Sequence, residues 1–157
     1  MKKLLALLLV LLLAVPCAMA EDEELEDAVE MPEAAAVFEG IWACDRASME
    51  IIWEEEGFRV LITWGSSATE MTEWEYNCFY HEEDHSVVSV MNNGTKTDFL
   101  YDENGEIVSS DIAYEDGEAT FTLDEENHLI WKDAKEDAGK DMLFEYQGPI
   151  PPVDETV

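Results

Sequence analysis

From Val37 to Gly148 the chain is written in period two, with short apolar-polar alternating runs set about ten to thirteen residues apart by turn residues. That spacing leaves no room for a helix of ordinary length and constrains the chain to an antiparallel β fold. Phe58, Val60, Ile62 and Trp64 share one face of one run, and Met49, Ile51 and Trp53 share a face of the run before it. Glu54-Glu55-Glu56-Gly57 joins the two as a hairpin. Further bends are expected at Asn92-Asn93-Gly94, Asp102-Glu103-Asn104-Gly105, Glu115-Asp116-Gly117 and Glu125-Glu126-Asn127, where residues tolerant of positive φ precede a new run. Ten runs can be counted, good to about one. The expected fold is therefore all-β, a meander of about 8–10 strands that escapes open edges by closing into a barrel or a flattened barrel or sandwich.

The segments flanking this unit behave differently. Lys2 and Lys3 lead an apolar run, Leu4 to Val15, too short to span a bilayer, and Ala18-Met19-Ala20 supplies small residues for cleavage, so residues 1–20 read as a secretory signal. Cys17 allows a second reading, a lipid anchor, but Pro16 stands where that signal carries a small residue. Residues 21–36 are acidic without a single basic residue and read as a disordered leader. Pro149-Ile150-Pro151-Pro152 cannot donate to a sheet, which makes 149–157 a tail. No later apolar run is long enough for a membrane span. The result is one exported domain, residues 37–148.

All 38 acidic residues follow Ala20, and the net charge is −30. Such a surface repels nucleic acid and anionic membranes; it attracts basic extracellular proteins or divalent cations, and the attraction weakens with salt. Cys44 and Cys78, in an oxidising compartment, are expected to form a disulfide.

The opening run contains Phe38-Glu39-Gly40-Ile41-Trp42, which resembles the Gly-x-Trp start of lipocalins and related calycin barrels. The resemblance implies a barrel with the tryptophan at its closed end and a small apolar ligand inside. Near the last strand, where that family packs an arginine over the tryptophan, this chain has Lys132 and Lys140. Trp42, Trp53, Trp64 and Trp74 are the ligand-lining candidates on this reading. The same side chains, with Trp131, are better read as the core of a small β domain, because four of the five share faces with aliphatic or aromatic neighbours along their strands.

His81-Glu82-Glu83-Asp84-His85 satisfies the letters H-E-x-x-H, a zinc peptidase signature that works only on a helix. Here it lies between two strand-like runs, so it reads as a polar hairpin loop and a chance match. His81 and His85 are left as candidates for weak zinc binding, and Asp102-Glu103-Asn104-Gly105-Glu106 as one for weak calcium binding. No dedicated cofactor is expected. The sequence points to a binding protein and not an enzyme, carrying a small apolar ligand or docking a basic protein.

Overall fold

The computed structural model describes residues 29–152; residues 1–20, read above as a secretory signal, the first half of the acidic leader and the end of the tail lie outside them. The chain is all-β and antiparallel, with ten strands in one sheet curled into a half-barrel. In chain order they are β1 Gly40–Ala43, β2 Ala47–Glu54, β3 Gly57–Gly65, β4 Glu70–His81, β5 Ser86–Ser89, β6 Gly94–Tyr101, β7 Ile107–Gly117, β8 Ala119–Leu123, β9 Leu129–Asp133 and β10 Glu145–Gly148. Each of the ten runs legible in the sequence is a strand. Among the described residues no helix is long and apolar enough to cross a membrane.

The first five strands form the expected meander, and then the order departs from it. The path runs β10-β1-β2-β3-β4-β5-β8-β9, with β6 and β7 standing off it. β4 is long enough to serve two neighbours, pairing β6 through Glu70 to Glu75 and β5 through Cys78 to His81. The sheet therefore forks. The two ends of the path touch where Leu129 and Phe144 exchange both backbone hydrogen bonds, at 2.9 and 3.0 Å.

Glu115-Asp116-Gly117 is not the bend its residues suggest. The chain runs straight through it as the end of β7 and changes partners at Gly117–Ala119, leaving β6 to pair with β5 and β9 as β8. The reason is packing: Gly117 pairs with Gly94, the Tyr76 ring lies where a Gly94 side chain would be, and the Tyr114 ring covers Gly117 at 2.8 Å from a built Cβ. Only glycines leave room for two rings at the fork.

The inward face is filled by Trp42, Met49, Ile51, Val60, Ile62, Trp74, Tyr76, Phe121, Trp131 and Phe144. The end of the leader belongs to this core and is ordered: Glu33–Ala35 forms a 3-10 turn, Ala35 is 0% exposed, and Phe38 packs at 6.2 Å from Tyr80. The folded unit thus opens before Val37.

The expected disulfide is absent, and among the described residues Cys44 and Cys78 are both free. Cys44 N–H donates to Ala47 O at the start of β2, beside Trp64, whereas Cys78 pairs with Phe58, six residues along β3. That separates them by about 20 Å at strand rise, against the roughly 4.4–6.8 Å between Cα atoms that a disulfide needs. Cys78 does face the core, and burial pushes its thiol up, away from the thiolate form that reacts.

Candidate ligand groove

Apolar residues at consecutive positions, as in Cys78-Phe79-Tyr80, Val87-Val88 and Leu129-Ile130-Trp131, place apolar side chains on both faces of β4, β5 and β9. One set fills the core; the other forms a second apolar surface outside it. Cross-strand pairing aligns Phe79, Val88, Thr120 and Lys132 in one outward row, and His81, Ser86, Thr122 and Ile130 in the next. Against these rows lies a groove of about 890 Å³, floored by Phe79, Val88, Thr120 and Ile130 and edged by Met91.

Its far wall is the loop from Ala134 to Asp141, held by a single buried carboxylate. Asp133, 2% exposed, accepts the Lys135 N–H at one oxygen (3.2 Å) and the N–H groups of Glu136 (2.8 Å) and Ala138 (3.4 Å) at the other. Three backbone donors of the loop find their acceptor in this way. Gly139 then presses against the Trp131 carbonyl and ring, with no room for a side chain. Outside the groove, Lys96 Nζ donates to Glu136 at 2.7 Å and Lys135 pairs with Asp116, which ties the loop to the β6–β7 hairpin. Lys96 also lies over Trp74, and Lys135 over Tyr114. Beneath them burial and the nearby Asp133 charge push the Tyr114 phenol up to about 12.

The rim carries charges of both signs, Lys132 and Lys140 alongside Glu118, Asp137 and Asp141. Neither lysine is in an ion pair among the described residues. In a chain this acidic, two lysines unpaired at one groove are conspicuous.

The tryptophans singled out in the sequence lie elsewhere. Trp42 is buried, donates from Nε1 to Phe38 O at 2.9 Å and meets Tyr146 edge-on. Trp53 stands edge-on to Phe58, and Trp64 and Trp74 pack at 6.1 Å, with Trp74 Nε1 donating to the Tyr114 hydroxyl at 3.1 Å. None of the four lines the groove; Trp131 does. A chain of rings, Trp64 to Trp74 to Trp131, runs through the core behind it.

The two histidines of the H-E-x-x-H segment do not converge. The segment is the tight β4–β5 connection, with His85 at φ 50°, not a helix. His85 Nδ1 and the Tyr80 hydroxyl stand 2.8 Å apart, while His81 Nδ1 is 3.1 Å from an Asp84 oxygen. The residues that do come together there are His81, Glu83 and Asp84, on an exposed turn. In the other acidic loop, the Asp102 carboxylate accepts the N–H groups of Asn104 (2.8 Å) and Glu106 (3.0 Å), the work of a turn cap.

The β8–β9 turn carries the clearest pH-sensitive pair. Asp124 accepts the Glu126 and His128 N–H groups at one oxygen, and its other oxygen lies 2.9 Å from His128 Nδ1. The hydrogen bond to Asp124 raises His128 from its ordinary 6.5 against a smaller opposing desolvation, and the same bond lowers Asp124 from 3.8. A raised base stabilises the fold fully below its unfolded value and loses that contribution as pH rises through the folded one; a lowered acid does the reverse. The turn is therefore held best between about pH 4 and 6.5. An NMR titration of the His128 ring should give a midpoint above that of an unfolded reference peptide, and Asp124→Asn should bring it back.

Comparison of the chain with protein-family models, with curated proteins and with solved structures gave no match. What the fold and groove define is a class, an all-β half-barrel with a filled core and an apolar hollow on its outer face.

Proposed function

We propose that this is an exported, non-enzymatic binding protein that holds a small, largely apolar molecule in the groove between the β5–β8–β9 face and the Ala134 to Asp141 loop. The observation that carries this reading is the groove itself. Its volume falls within the range of small-molecule sites, roughly 300–1,000 Å³, which are concave and apolar with a few polar groups at the edge. The inward face is filled by core side chains, which supports the outer surface over the barrel interior as the place for a ligand. Lys132 and Lys140, with Glu118, Asp137 and Asp141, offer both donors and acceptors to a polar end. Export is supported by the signal-like residues 1–20. Binding without catalysis is supported by the burial of Cys78, which pushes its thiol up, and by histidines that make separate contacts on a turn.

The test is native mass spectrometry of the mature protein taken from its own host, compared with its denatured mass. An organic mass retained in the native spectrum and released on denaturation is the expected result. A bare chain that also fails to take up a neutral apolar dye such as 1-aminoanthracene would count against the proposal.

A further inference from the structure

β7 is an eleven-residue strand that among the described residues pairs with β6 alone, which leaves its other side open. Its register slips at both ends and is regular between them, where Thr97 to Leu100 pair with Ile112 to Ser109. A regular open edge is a template for another chain, and proteins usually blunt it with proline, lysine or burial. β7 has neither of those residues, and Ile107, Val108 and Ile112 are 57–61% exposed. By their partners Ile112, opposite Thr97, and Ile107, opposite Tyr101, lie on the Phe99 face and Asp111 on the other, while Val108 is the extra residue at the register slip.

The charges around the edge decide what fits it. Asp98 and Asp111 are directly opposite each other across β6 and β7, an arrangement of like charges that costs stability. With Glu70 they line a hollow of about 370 Å³ beside the open strand. Thr72 Oγ1 donates to Asp98 at 2.6 Å, but no ion pair among the described residues reaches either aspartate. The nearby lysines are committed, Lys96 to Glu136 and Lys135 to Asp116. A second copy of β7 would bring more carboxylates, from Asp111, Glu115 and Asp116, to the same edge. The unmet demand is for a cation.

We propose that β7 captures an extended basic segment of another protein by strand addition. Main-chain hydrogen bonds form along Ser109 to Ile112, a Lys or Arg of the added strand lies by Asp111 and Asp98, and its alternate apolar residues lie on the Ile112 face. This surface is separate from the ligand groove, and it stands or falls independently of it.

The experiment uses the full mature protein and three capped peptides: one alternating Val and Lys, one alternating Val and Glu, and the Val-Lys peptide with alternate backbone nitrogens methylated. The Val-Lys peptide is expected to bind, to slow amide exchange at Ser109 to Ile112 at least about tenfold, and to weaken as salt rises. Asp111→Lys should reduce its affinity at least about tenfold, and Asp111→Asn, which keeps the shape of the side chain, should reduce it less. The Val-Glu and methylated peptides should fail to bind. Equal binding of the methylated peptide would reduce the effect to charge alone and overturn the proposal. So would protection that falls outside β7, or sedimentation showing that β7 already pairs two copies of the chain.

Discussion

Asp133→Ala should destabilise the protein by about 3–5 kcal/mol, which lowers its melting temperature by roughly 10–20 °C for a domain of this size. The carboxylate is almost wholly buried and takes three backbone N–H groups from the loop that follows it, so its removal takes the acceptor from all three at once. The replacement also loses the contact that holds the loop as a wall of the groove, so the effect is double. Urea unfolding should show the loss of stability, and proteolysis should cut first between Ala134 and Asp141. Asp133→Asn, which retains one acceptor oxygen, should cost less. A loss under about 1 kcal/mol for the alanine variant would mean that the loop is held by Lys96, Lys135 and Gly139 instead.

The second large effect concerns binding and leaves the fold intact. Thr120 stands at the middle of the outward row between Val88 and Lys132, half-buried and at the floor of the groove. Thr120→Trp keeps a residue suited to a strand, fills much of the hollow and touches no core side chain. Affinity for a neutral apolar dye should fall about a hundredfold, equivalent to about 2.7 kcal/mol, with the urea midpoint nearly unchanged. Trp42→Phe, in the core away from the groove, should do the opposite, shifting stability and leaving dye affinity alone. The pair of variants separates the outer groove from the barrel interior as the place where a ligand sits.

The strands were legible because alternation is a local property: a side chain's face follows from its position along one run, as with Phe58, Val60 and Ile62. Partner choice is not local. Glu115-Asp116-Gly117 carries turn residues, yet Gly117 is there to sit beneath the Tyr114 ring opposite Gly94, a contact with no trace in the residues on either side. For the same reason the cysteines looked like partners; both occur in strand-like runs, but the register of β2 on β3 sets them at opposite ends. The groove did leave a signal. Val87-Val88 and Ile130-Trp131 break the alternation with apolar neighbours, which marks strands covered on both faces, whereas the tryptophans drew attention to the face that turned out to be full. Asp133 was invisible among 38 acids until its three donors were in place.

The most direct test of a ligand site on the outer face is an NMR titration of the protein with the neutral dye, following backbone amides. Saturable shifts grouped at Phe79, Val88, Thr120, Ile130 and the Ala134 to Asp141 loop, and abolished by Thr120→Trp, are the predicted result. Shifts centred on Trp42, Met49 and Ile62 would place the ligand within the barrel and contradict the account.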